Sequence, residues 1–150
     1  MRVEAGATIN PAEHLRLAAT GDIEAQRAFV QIGLAMIRSG TLDPIGGYKG
    51  ALIWARIAAA HGFPQDRQVL SGCLCGLAKA ISDQGHEDAA AEVMIEAVAI
   101  TDELADEGCE VSADLLNQFV EILPAHVASA AKAFRATRPH VPVERIEEGK

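Results

Sequence analysis

The residues able to do chemistry in this 150-residue chain are three cysteines, five histidines and 21 acidic side chains. Cys73-x-Cys75, with Cys109 downstream, raises metal binding first. Structural zinc wants clusters spaced Cys-x₂-Cys or His-x₃₋₅-His, and the chain has neither. Residues two apart on a helix point about 200° from each other. The two thiols therefore diverge and read as small buried hydrophobes. His86-Glu87 lacks the later Pro-Cys-x-x-Cys of a zinc deaminase. Gly46-Gly47-Tyr48-Lys49-Gly50 lacks the Gly-Lys-Ser/Thr ending of a phosphate loop, and no strand pattern precedes it. His14, His61, His126 and His140 are scattered, and His61 falls in the last turn of a predicted helix, where a cation suits the dipole. No serine sits in a nucleophile-elbow context. Carboxylates abound, but a solvated helix face keeps their pKa values ordinary and supplies no general acid. The expectation is a protein without catalysis, cofactor or metal.

The carboxylates are more informative as a distribution. From Ala80 to Ala131 there are twelve acidic residues and no Lys or Arg. The flanking segments, 1–79 and 132–150, each carry a balance of +2, so the block's −12 accounts for all the negative balance in the net charge of −8. Such a block is either a solubilising surface or a docking face for a basic partner. The negative balance argues against direct nucleic-acid binding, which needs a basic surface. No run of eighteen apolar residues exists, so no membrane span is expected, and Met1–Asn10 shows no secretory signal. An odd cysteine count without a disulfide framework suggests a reducing, cytoplasmic setting.

The elements that must carry these residues read as helices throughout. Apolar residues make up 49% of the chain and aromatics only 4%, with 28 alanines. That composition suits close helix-on-helix packing rather than a β-sandwich. Asn10-Pro11-Ala12-Glu13 reads as an N-cap, a proline at the first helical position and a capping acid, for a helix to Ala19 ended by Gly21. Asp22 caps a second helix to Arg38. Thr41–Gly47 is the longest cluster of helix breakers and is predicted to be a loop. A third helix is expected over Tyr48–His61, a fourth from Pro64 to Ser82, and a fifth over His86–Glu107. Ser112 is the expected cap of a sixth, and Pro124 starts a seventh ending near Ala136. Residues 1–9 are then an N-terminal extension, 10–136 the helical domain and 137–150 a flexible tail.

The fifth helix separates its faces by arithmetic. On the helical period, Asp88, Glu92, Glu96, Glu103, Asp106 and Glu107 fall together in one sector of the circumference. Val93, Ala97, Ile100 and Leu104 fill the sector beside it, and Met94, Val98 and Ala105 lie further round on the side away from the acids. Only Ile95 intrudes among the acids.

Internal repetition decides between a bundle and a solenoid. Ala18-Ala19-Thr20-Gly21, Ala59-Ala60-His61-Gly62 and Ala105-Asp106-Glu107-Gly108 each close one helix and open another, with glycines 41 and 46 residues apart. Each period holds two helices. Gly47 to Gly62 then resembles the first helix of a Sel-one-like repeat, the tetratricopeptide-related family. The residues that carry the likeness are Ala51, the aromatic Trp54, the pair Ala58-Ala59, and Gly62. Gly21 followed by Ala25-Gln26 matches the family's continuation, and the likeness covers roughly residues 15–122. After Gly62 the pattern departs to Asp66-Arg67, and the third period, closed by Gly108, lacks a tryptophan.

The resulting expectation is an all-α, short right-handed α-solenoid of two-helix repeats with about seven helices. Resemblance to the family implies a non-catalytic adaptor whose first helices, 11–19, 48–61 and 86–107, hold another protein. Lys49, Leu52, Arg56, Glu92, Glu96, Glu103 and Glu107 are the expected partner-binding residues. The partner is a basic or amphipathic segment. Two alternatives stand beside it. One is an acidic decoy that mimics nucleic acid toward a nucleic-acid-binding protein. The other is a self-associating module, since uncapped solenoid ends are apolar and favour a homodimer.

Overall fold

A computed structural model describes residues 10–138. The expected N-terminal extension lies outside the described residues, as does the tail beyond Arg138. Among the described residues the chain is all-α and forms seven helices: α1 (Pro11–Ala19), α2 (Ile23–Arg38), α3 (Pro44–Ala59), α4 (Pro64–Asp83), α5 (Glu87–Asp106), α6 (Glu110–Ile122) and α7 (Ala125–Thr137).

The starts and stops are local chemistry. Asn10 accepts a hydrogen bond from the Ala12 N–H, Asp22 from Ala25 and Asp43 from Gly46. Helices α1 to α5 each end on a glycine in the left-handed region, from Gly21 to Gly108, where a side chain would strain the turn. Two boundaries differ from expectation. The predicted loop Thr41–Gly47 is shorter, because Asp43 caps and Pro44 takes the first helical position of α3. Gly46 and Gly47 are thus helical, and a Cβ on Gly47 would collide with Ile37 of α2. Its glycine therefore serves helix approach rather than a turn. Cys109, not Ser112, stands at the N-cap of α6, and Ser112 is buried inside its first turns.

Consecutive helices pack on one another from α1 through α6, as links of a few residues require. The last helix breaks this order: α7 packs chiefly on α5. Helix α5 is consequently enclosed on three sides. Its Ala97, Ile100 and Leu104 join a core with Val30 of α2, Ala51, Leu52 and Ala55 of α3, and Leu70, Leu74 and Leu77 of α4. Its Val98 and Ala99 join a second core with Phe119, Val127 and Ala131, and Ile95 packs against that core. The apolar intruder in the acidic sector is thereby explained: it belongs to the second core.

Small residues set the spacing. Gly76 of α4 lies under the ring of Tyr48 of α3, leaving no room for a Cβ. Trp54 of α3 stacks on Phe29 of α2 with ring centroids 5.2 Å apart. His14 of α1 meets Phe29 in an edge arrangement, with ring centroids 5.9 Å apart. Ala51, Ala55 and Ala58 are buried where α3 touches its neighbours.

Candidate functional site

From Glu96 onward the acidic stripe of α5 borders a groove, while Asp88 and Glu92 are exposed outside it. The groove encloses about 580 Å³ between the end of α3, the start of α4, α5 and α7. Ala59, Ala60, Gly62, Leu70 and Ile100 give it an apolar lining. Glu96, Glu103, Asp106 and Glu107 come from α5, and Arg56, Arg67, Arg135 and Arg138 face them.

Each acid finds a guanidinium from another element. Arg56 of α3 holds Glu96 through two hydrogen bonds, Nη2 donating to Oε2 at 2.8 Å. Arg67 of α4 holds Glu107, Nη1 donating to Oε1 at 3.0 Å. Arg135 Nη1 of α7 donates to both Asp102, at 2.8 Å, and Asp106. Arg138 approaches Glu103 at 3.6 Å. The fork of a guanidinium suits such two-point pairing. Hydrogen bonding by Glu96 raises the Arg56 pKa, and bonding by Asp106 and then Asp102 raises that of Arg135. Arg56 is half-exposed, so its pair adds little stability. The pairs serve instead to fix the orientation of eight charged side chains around one concavity.

The expected partner-binding residues divide three ways. Arg56, Glu96, Glu103 and Glu107 line the groove. Lys49 and Glu92 are exposed outside it, Glu92 one turn before Glu96 on the same face of α5. Leu52 is a correction: it is 7% exposed and packs in the core, so it presents nothing to a partner. Its neighbours Ala51 and Ala55 are drawn inward with it, because this face of α3 covers α4 and α2. The residues expected to shape the repeat sit at the junctions: Gly21, Gly62 and Gly108 end α1, α3 and α5 with φ of 101°, 93° and 96°. Ala51 and Ala58 are buried, and Ala59 lines the groove.

Arg67, Arg135 and Arg138 escaped the sequence reading. One signal pointed to them. A block with twelve acids and no internal base can be neutralised only by bases from outside it, and Arg67 stood where the repeat pattern departs.

The thiols remain apart. Burial pushes Cys73 and Cys75 up to about 11, which leaves them protonated and unreactive at neutral pH. Cys109 is lowered, chiefly by hydrogen bonding from the Ser112 side chain, and it also accepts from Gln68 Nε2 at 2.8 Å. Among the described residues no group of three His, Cys, Asp or Glu side chains is placed to hold a metal ion, and no helix is long and apolar enough to cross a membrane. A smaller apolar cleft of about 230 Å³ lies between α5, α6 and α7, around Val98, Phe119 and Leu123.

Compared with family models, with curated proteins and with solved structures, the chain matches none of them.

Proposed function

We propose that this chain is a non-catalytic protein–protein interaction module, a short helical-repeat adaptor whose groove docks a basic or amphipathic segment of a partner protein. The observation that carries the reading is the groove itself. Oriented charges of both signs surround an apolar lining in a concavity large enough for several side chains. A partner's bases compete there with Arg56 and Arg67 for the α5 carboxylates, while its apolar side chains cover Ala59 and Ala60. The two-helix periodicity and the Sel-one-like resemblance support the same reading, because stacked hairpins present a continuous concave surface.

The acidic-decoy alternative is weaker on electrostatic grounds. Glu96, Asp102, Asp106 and Glu107 hydrogen-bond to the chain's own arginines. Carboxylates engaged in this way present less negative field than a row imitating phosphates requires. Self-association has one observation in its favour. Helix α6 exposes Val111, Val120 and Ile122 by 66–75% each, and an equilibrium sedimentation run reads it directly.

A photo-crosslinking residue at the exposed groove position Ala60, with Gly72 on the open side of α4 as control, tests the adaptor reading. In host lysate, the Ala60 probe is expected to trap a discrete protein adduct that the Gly72 probe does not. Adducts of equal yield from both positions would sink the reading. Loss of the Ala60 adduct on adding nucleic acid would transfer support to the decoy.

A further inference from the structure

Helices α2, α4 and α6 occupy the same place in the hairpin repeat, and α6 lacks the neighbour the other two have. Counted from Gly21, Gly62 and Gly108, Val30, Gly33 and Ile37 of α2 correspond to Ser71, Leu74 and Ala78 of α4. Their counterparts at α6 are Asn117, Val120 and Pro124. A Cβ on Gly33 would lie 3.5 Å from Ala51 of α3, and Ile37 presses on Gly47 of α3. Ser71 donates to the Ala97 carbonyl of α5 and hydrogen-bonds with Thr101. Ser71, Leu74 and Ala78 are all buried. In both hairpins this face is thus covered by the helix that follows. At α6 it is bare, because α7 packs on α5. Asn117, Val120 and Pro124 are exposed, Val120 by 66%. The apolar cleft of about 230 Å³ beside Val98 and Phe119 opens at this face.

The helices that fill the equivalent slots bring small residues at helical spacing, Gly47 and Ala51 of α3 and Ala97 and Thr101 of α5. Helix α7 carries a face of the same kind. Its Val127 and Ala131 are buried against α5. Ala125, Ser129, Lys132 and Ala136 fall together on the opposite side and are exposed. Ala125 and Ala128 border the cleft. Charge then separates α7 from α6 as the occupant. The charged residues of α6 are Glu110, Asp114 and Glu121, all exposed and all acidic, whereas the outer face of α7 carries Lys132. A second α6 in the slot would set acid against acid, and a second α7 sets a base against it.

We propose that the slot on α6 is filled by α7 of a second copy of this chain. The exchange is reciprocal: α7 of each protomer packs on α6 of the other in a two-fold dimer. The uncapped apolar end of each solenoid is covered in the same step. This pairing does not depend on the adaptor reading, since the groove takes Arg135 and Arg138 from α7 and neither belongs to its outer face.

Sedimentation equilibrium of the full chain, over a concentration series reaching about 100 µM, tests the pairing. Wild type is expected to follow a monomer–dimer equilibrium. Val120→Lys should weaken the dimer about tenfold or more. Circular dichroism should be unchanged, because Val120 faces solvent in the single chain. Lys132→Glu should weaken the dimer as well, and adding Glu110→Lys with Glu121→Lys should restore it. Ile53→Lys, at an exposed position of α3, is the control and should leave the dimer intact. A chain monomeric throughout the series overturns the inference and leaves the slot to a helix of a different protein. A dimer indifferent to Val120→Lys or to Lys132→Glu, or one that the reversed charges fail to restore, overturns it too, because another face then makes the contact.

Discussion

At the first hairpin junction Gln26, five residues after Gly21, meets His61, the residue before Gly62; His61 Nε2 and Gln26 Oε1 are 3.0 Å apart. At the second, Arg67, five residues after Gly62, meets Glu107, the residue before Gly108. The slot is the same and its chemistry is opposite. Gln26 is 1% exposed and also donates to the Ala18 carbonyl, so a neutral amide ties three helices inside the fold. Glu107 keeps 42% of its side chain exposed, and an ion pair closes the slot at the groove edge. Burial of one partner decides what is tolerable: an amide at the buried Gln26 position hydrogen-bonds at little cost, whereas a guanidinium there would lose its hydration. The residues at which the repeat pattern lapses, Asp66-Arg67 in place of Ala-Gln, turn out to be those linking one hairpin to the next. Asp66 reaches back to Arg27 and Arg67 forward to Glu107.

The largest break in this comparison is next to the first junction. Asp66 is 4% exposed and takes two hydrogen bonds from Arg27, at 2.8 and 2.7 Å. Arg27→Ala strands that carboxylate and is expected to cost about 3 kcal/mol in urea unfolding. The double variant Arg27→Met/Asp66→Leu should recover most of the loss, and a single-variant cost near zero would show that the pair is not buried as described.

Exchanging the junctions sharpens the contrast. Gln26→Arg with His61→Glu places a guanidinium at the buried Gln26 position and is expected to lose about 2 kcal/mol. Arg67→Gln with Glu107→His places the amide–imidazole pair at the groove edge, and the loss should stay within about 1 kcal/mol. Equal costs would mean that slot geometry, not burial, selects the chemistry.

Smaller still is Glu107→Gln. Its effect should lie within about 1 kcal/mol and shrink toward zero as salt approaches molar concentration, because the pair is solvent-facing and screened. Unfolding at low and high salt reads this directly, and a salt-independent loss would contradict it.

The smallest effect concerns reactivity rather than stability. The thiolate is the reacting form, so a lowered pKa shifts alkylation to lower pH and a raised one to higher. Cys109 is expected to alkylate with a midpoint below the ordinary thiol value of 9.0, while Cys73 and Cys75 follow near 11. Ser112→Ala should move the Cys109 midpoint upward. Peptide mapping of labelled protein across pH separates the three, and a Cys109 midpoint above that of Cys75 would refute the assignment.

Helix identity was legible in the sequence because its causes are local. Asn10 and Asp22 cap through their own side chains within three residues, and glycines end α1 to α5 where only a left-handed residue fits. The separated faces of α5 follow from a 3.6-residue period in the same way. The misread α3 start is instructive: Gly46-Gly47 looks like a breaker, and only the Ile37 side chain pressing on Gly47 shows why a helix keeps it. Leu52 misled for a related reason, since periodicity marks a face as apolar without saying which neighbour covers it.

What the sequence alone determined, then, is that seven helices form, that they alternate in short hairpins, and that α5 gathers its acids on one side. Only the tertiary structure decided what those acids meet. Their arginines come from 29 to 40 residues away, on helices whose approach depends on small residues such as Gly76 and Ala55 and on α7 packing against α5 rather than α6. Capping and periodicity act within a turn or two of the chain. Charge pairing across a groove is set by how whole helices pack, and no local pattern encodes it.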